Sequence, residues 1–252
     1  MRLRAYGEAR YVGARTYAHA MFREQCGMQA NSLLASLAGE SYRRLAPWLD
    51  AVSLAFGEVL YEPGAAIRHV YFPAKCVVSL LAVVDGRGAF AVGLVGREGM
   101  VGVPLALGVG VSPVRALVQG GGSAMRMSAT RFRKALGATP ALQHTLHRYA
   151  HALMAQITQT ASSNHFHAVE ARVARWLVMT RDRLGSSEFR LTHEFLAHML
   201  GVRREGVTGA ASCLQRRGLI TYRRGELRIV DYVGLEAAAC GCYEFAAQRA
   251  SS

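Results

Sequence analysis

Lysine is nearly absent from this chain: of 30 Lys and Arg residues, only Lys75 and Lys134 are lysines. The arginine bias is what genome composition alone can produce. The net charge of +13 therefore favours a polyanionic partner without identifying one. Cysteines are few, odd in number and scattered (Cys26, Cys76, Cys213, Cys240 and Cys242). That excludes a disulfide framework and leads us to expect a reducing, cytoplasmic setting. Long apolar runs are missing too: segments 77–84 and 101–111 are too short, or broken by Gly and Pro, so no bilayer span and no membrane partner are expected. No nucleophile–base pair, metal set or phosphate loop is laid out along the chain, so an enzyme is not expected.

What is present suits two domains: 252 residues, 51% hydrophobic and 19% charged. The first 27 residues carry five arginines against two glutamates and no periodicity. They imitate a transit peptide, and we read 1–29 as a tail, or as an over-long start with the functional beginning at Met28. Asn31-Ser32 followed by LLASL, and then YRRLAPWL, read as a short helix pair entered through a polar cap. From Asp50 come seven short apolar segments punctuated by Gly, Pro and Asp (AVSLAF, GEVLYEPG, HVYFP, VVSLLAVVDGRG, AFAVGLVGREG, VRALVQGGG and SAMRMS). Their spacing, with Asp85-Gly86 as a hairpin turn, predicts an all-β sandwich or barrel over 50–128, within a domain at 30–138.

Thr139-Pro140 start a long helix over 139–164. Leu142, Leu146, Tyr149, Leu153 and Ile157 form a near-heptad stripe on it, expected to meet a second copy of the chain; the alternative is packing on its own β-domain. A second helix follows, with Val169, Val173, Trp176, Leu177 and Thr180 on one side and Gly185 as its stop. It opens a domain at 165–240, leaving 241–252 as a tail. There Gly201 can make the turn of a helix-turn-helix. Leu196, Ala197, Leu200, Val202, Val207, Ala210 or Ala211, and Leu214 fill every inward slot. The second helix of that motif lies in the major groove, so Arg203, Arg204, Glu205, Thr208 and Gly209 become the candidate base readers. Arg204 suits guanine O6 and N7, and Glu205 suits cytosine N4. The alternative is a solvated face with an incidental Arg-Glu pair. GLITYRRGELRIV reads as a two-stranded wing with Arg223 and Arg224 at its tip, suited to phosphates. Residues 190–228 hold eight arginines against three glutamates, a net of +5.

A β-domain, a connecting helix, then LTHEFLAHMLGVRREGVTGAASCLQRRGLI and a wing together resemble the Crp/Fnr family of bacterial transcription regulators, over about residues 30–235. The resemblance implies an α+β protein: an antiparallel β-roll or jelly roll, a long dimerisation helix and a C-terminal winged helix-turn-helix. It also implies a homodimer on double-stranded DNA, with RNA polymerase as a further partner. The family's recognition helix reads DNA with Arg, the following Glu and a second Arg four residues on; here these are Arg204, Glu205 and Gly209. The family's cyclic-nucleotide cassette pairs Gly with Glu, then places Arg before Ser or Thr. Here Glu98 and Gly99 stand in reversed order and Arg115 precedes Ala116. A cyclic nucleotide would meet Glu98 at its ribose and Arg115 at its phosphate; the alternative is that Arg115 and Glu98 pair across the roll.

Other constellations carry less. His144, His147 and His151 share one helix face and could ligate a metal or haem, or flank a dimer seam. His193-Glu194 and His198 are one residue too far apart for a zinc protease, which turns the second imidazole about 140° away. Cys240 and Cys242 are a lone pair, and an iron–sulfur cluster needs about four thiolates; no metal site is expected. The competing function is a cyclic-nucleotide-binding module whose helix-turn-helix makes protein contacts.

Overall fold

The computed structural model describes residues 30–37, 39–84, 88–239 and 241. The expectations for both tails, for Asp85-Gly86 and for the Cys240/Cys242 pair lie outside those residues. At the start of the described chain, the Asn31 side chain accepts from the Leu34 amide at 3.0 Å and caps α1 (Ser32–Ala35). Its own amide group donates to the carbonyls of Pro73 and Gly99 at 2.8 and 2.9 Å. A residue read as a helix cap thus also pins that helix to the β-domain. Helix α2 (Gly39–Leu45) follows.

Each of the seven apolar segments contributes one strand: β1 (Asp50–Leu54), β2 (Val59–Tyr61), β3 (His69–Pro73), β4 (Val77–Val84), β5 (Gly88–Val95), β6 (Arg115–Gly120) and β7 (Gly122–Ser128). They form two antiparallel sheets, ordered β1-β7-β3 and β2-β6-β4-β5. Val84, the last residue of β4, pairs with Gly88, the first of β5. Two helices were not foreseen, α3 (Val103–Ala106) and α4 (Ala129–Ala138), the latter capped by Ser128.

The four-stranded sheet explains why VVSLLAVV does not alternate. A strand covered on both faces reads as a continuous apolar run. Val78, Leu80, Val95, Ala116 and Val118 face the interior of the roll. Val77, Leu81, Ala89, Ala91 and Leu94 face outward into a second core shared with the C-terminal half of the chain.

Helix α5 (Pro140–Phe166) closes the roll. Leu142, Leu146 and Leu153 are buried in the roll's core, with Tyr149 and Ile157 packed against it. The stripe expected to meet a second copy is therefore consumed within the chain, and the reading that placed it on its own β-domain holds. The reason is geometric: a roll with one open side must bury that side, and the apolar face of the next helix is the nearest cover.

Helix α6 (Val169–Leu184) ends at Gly185, whose φ of 68° takes the left-handed cap. It was expected to bury one side, yet every residue from Arg172 to Thr180 is buried. The helix is sandwiched between the sheet and the units that follow: α7 (His193–Leu200), α8 (Arg204–Arg216) and α9 (Tyr232–Ala238). Polar groups span that boundary as well. Ser79 donates to Gln119 Oε1, and Gln119 Nε2 donates to Thr180 Oγ1 at 3.2 Å. The wing has three strands rather than the two expected: β8 (Glu188–Arg190) pairs with β10 (Glu226–Ile229), which pairs with β9 (Ile220–Arg223). EFR is too short to carry a period of its own.

Candidate nucleic-acid interface

Thr192 starts α7 by accepting from the Phe195 amide at 3.1 Å. Gly201 ends it with φ 62°. Any other residue there would be strained by that φ, and its Cβ would lie 3.1 Å from Phe90 Cβ on the roll. The turn then delivers Arg203 as an extended N-cap to α8, with no side-chain cap bond of its own. Leu196, Ala197, Leu200, Val207, Ala210, Ala211 and Leu214 are all buried, and Val202 is half-buried. Full burial of a Val or Leu stabilises by about 1.5–3 kcal/mol each, which fixes the angle at which α8 leaves the body.

With its apolar side spent, α8 presents Arg203, Arg204, Glu205, Thr208 and Gly209 to solvent. Positions 204, 205, 208 and 209 lie one turn apart and share a face. Arg204 and Glu205 form no ion pair with each other or with another described residue. The Arg-Glu pair of the bland reading is absent among the described residues, while the solvated face it also described is what their exposure shows. Thr208 is less free than its exposure implies. Its hydroxyl donates to the Arg204 carbonyl at 3.0 Å and lies 3.1 Å from His193 Nδ1.

His193 was weighed in the sequence only as a metal ligand, and it is the residue that steadies this face. Its ring stacks on Tyr222 at 4.4 Å with 22° between planes. Tyr222 is in turn fixed by donating from its hydroxyl to the Leu191 carbonyl (2.7 Å) and from its amide to Gln215 Oε1 (2.9 Å). Burial, and then the positive charge of Arg204, hold the His193 pKa below its ordinary value. A neutral ring donating from Nδ1 to Thr208 fits both facts. Tyr222 and Gln215 sit in strand and helix positions that carry no functional signature, which is why the sequence did not single them out.

The wing tip is a two-residue turn in which Arg224 (φ 51°) and Gly225 (φ 82°) both take positive φ, the geometry that matches strand twist. Arg190, Arg217 and Arg228 are tied to Glu226 (3.6 Å), Glu170 (2.7 Å) and Glu188 (3.3 Å). Arg203, Arg204, Arg216, Arg223 and Arg224 have no carboxylate within 4.0 Å among the described residues. Within residues 190–228, the arginines with no carboxylate partner are thus those of α8, its N-cap and the wing tip.

The candidate effector residues Glu98 and Arg115 each have a partner within the chain. Glu98 accepts from Arg183 Nε at 2.8 Å and from the Gly96 amide at 3.1 Å. Arg115 is paired with Glu62 at 2.8 Å, so Arg115 and Glu98 do not pair across the roll. Tyr149 occupies the space beside Gly99, where a Cβ would collide with its ring and hydroxyl. Burial, first of all, raises the Tyr149 pKa and keeps the phenol neutral. His144, His147 and His151 are exposed. No group of three or more His, Cys, Asp or Glu that could hold a metal occurs among the described residues. No helix among them is long and apolar enough to cross a membrane.

Residues 171–238 match the family described as the Crp-like helix-turn-helix domain. No curated protein matches the chain. Among solved structures, a crp/fnr-family protein from Eubacterium rectale is similar over 83% of this chain and 98% of its own, at 15% identity and a TM-score of 0.65. FixK2 from Bradyrhizobium japonicum is similar over 77% of this chain and 98% of its own, at 15% identity and a TM-score of 0.65. The c-di-GMP responsive global regulator CLP from Xanthomonas campestris is similar over 76% and 99%, at 18% identity and a TM-score of 0.62. At such identities the likeness is one of fold.

Proposed function

We propose, for a chain that has the Crp/Fnr fold and a Crp-like helix-turn-helix domain at 171–238, that it is a homodimeric, sequence-specific DNA-binding transcription regulator. The observation that carries this is the set of unpaired Arg203, Arg204 and Glu205 at the exposed start of α8, beside the unpaired Arg223 and Arg224 of the wing. Arg204 reads guanine through O6 and N7 and Glu205 accepts from cytosine N4, each good pair discriminating by about 1–3 kcal/mol. Thr208, held by His193, offers its methyl group and remaining lone pair. Arg203, Arg223 and Arg224 neutralise phosphates and set register. Gly209 leaves the third reading position empty.

The second copy meets α5 on the face opposite the buried stripe. A two-fold dimer then places two recognition helices about 34–36 Å apart, one turn of DNA. The roll biases that placement, and RNA polymerase is the partner a bound regulator would engage. Cyclic-nucleotide binding through Glu98, Gly99 and Arg115 is the weaker reading of the roll, because Arg183, Tyr149 and Glu62 already hold those positions.

Selection of DNA sites from a random pool tests the proposal, using the protein and its Arg204→Ala and Glu205→Ala variants at two salt concentrations. A two-fold symmetric motif, relaxed at one defined base pair by each substitution, is the expected result. Salt-sensitive binding without a motif would leave only an electrostatic surface. Loss of a protein partner with DNA binding intact would favour the module that makes protein contacts.

A further inference from the structure

We propose that the dimer seam is also a metal site, in which His147 and His151 from each of two chains together hold one divalent transition-metal ion. The inference rests on the homodimer reading above.

Helix α5 runs for 27 residues with one stripe sunk into the roll. On the other side, Pro140, His144, His147, His151, Met154, Thr158, Ala161 and His165 are all exposed. They recur at alternating intervals of four and three residues, the repeat that keeps a stripe turned toward a partner helix. A second copy related by a two-fold axis is the occupant that such a repeating stripe fits.

The chemistry of that stripe is unusual for a seam. Met154 is its only large apolar side chain, 60% exposed in the single chain, and four of the eight positions are histidine. Apolar burial alone gives such an interface little drive. His147 and His151, however, stand at i and i+4, with Cβ atoms about 5–6 Å apart. That is the spacing by which one helix face offers two imidazoles to a single ion. One chain supplies only two donors, consistent with the lack of any group of three or more ligands within it. Two-fold symmetry supplies the other two and completes a four-nitrogen set.

The donor set also limits the ion. Residues 139–168 contain no Asp or Glu, and Arg148 is their only Arg or Lys. With no carboxylate to compete, the site is all imidazole, which suits zinc, copper, nickel or cobalt and not magnesium or calcium. Binding only to the paired state, the ion would stabilise the dimer by mass action. At free metal about 100 times its dissociation constant, the dimer tightens about 100-fold.

The test uses the untagged full chain, stripped with a chelator and then titrated with cobalt(II) as an optical probe or with zinc(II). Sedimentation and equilibrium dialysis are run on the same samples. We expect one ion per two chains, tetrahedral cobalt absorption, and a dimer tightened by zinc. His147→Ala with His151→Ala abolishes all three, whereas His165→Ala does not. Helical circular dichroism checks that the double variant is folded, as expected for two exposed positions. A dimer that takes up no ion, takes one ion per chain, or binds equally well after the double substitution overturns the metal site and leaves the dimer standing. A chain that stays monomeric with and without zinc overturns the homodimer reading itself.

Discussion

Gly209→Arg should make this protein both more stable and a tighter, more discriminating DNA binder. A Cβ at Gly209 meets nothing within 4 Å, and the position lies inside α8 (Arg204–Arg216) on its exposed face. The substitution thus costs no packing. In a helix interior, replacing Gly by Arg gains about 0.5–1 kcal/mol from propensity, and about 1 kcal/mol raises Tm by about 2–4 °C in a chain of this size. On DNA, the new guanidinium lies one turn from Arg204 and Glu205. A bidentate contact to guanine contributes about 1–3 kcal/mol in each half-site, or about 5- to 150-fold in affinity per half-site. Thermal melts and fluorescence anisotropy on the selected site, and on the same site with one base pair changed, measure both effects. If the variant melts lower, the open space at Gly209 is misjudged. If affinity rises equally on every sequence, the new arginine touches only phosphate, and α8 does not present this face to the bases.

Leu214, fully buried on the inner face of α8, should cost about 2–5 kcal/mol when replaced by Ala; denaturant titration would show it, with DNA binding lost in parallel. Gly99→Ala pushes a methyl group into Tyr149. It should destabilise by about 1–3 kcal/mol, and a second change, Tyr149→Leu, should restore part of that loss in the same titration. His193 is held neutral by burial and by Arg204, below its ordinary value of 6.5. The unfolded chain takes up that proton first as pH falls through about 6.5, so this contribution to stability is whole above that pH and lost on acidification. The difference between wild type and His193→Gln in Tm, flat from pH 8 to 7 and shrinking from pH 7 to 5, is the measurement; a constant difference would rule out the titration.

Patterning made much of this legible. Seven apolar segments at even spacing became seven strands because Gly, Pro and Asp punctuate them, and the helix-turn-helix was visible because every inward slot from Leu196 to Leu214 has to be small or apolar. What a periodic stripe cannot say is which surface it meets. Leu142, Leu146 and Leu153 could serve a second copy or the roll equally well until the roll's open side is seen. Helix α6 buries Arg172 and Arg175 along with its apolar side, and no amphipathic reading predicts a helix covered all round. Long-range pairs were out of reach for another reason. Glu98 with Arg183 and Arg115 with Glu62 depend on the docking of distant segments, and a motif borrowed from sequence order placed Glu98 and Arg115 together instead.

The outward face of the four-stranded sheet bears on how the molecule behaves as a machine. Val77, Leu81 and Leu94 are shared with α6 and α7, Leu184 lies on Gly120, and Phe90 lies on Gly201. Heat should therefore melt the roll and the reading head in one cooperative transition rather than as two beads on a string. The recognition helix cannot swing as a free appendage. Moving it would expose the apolar outward face of β4 and β5, including Val77, Leu81 and Leu94, to water.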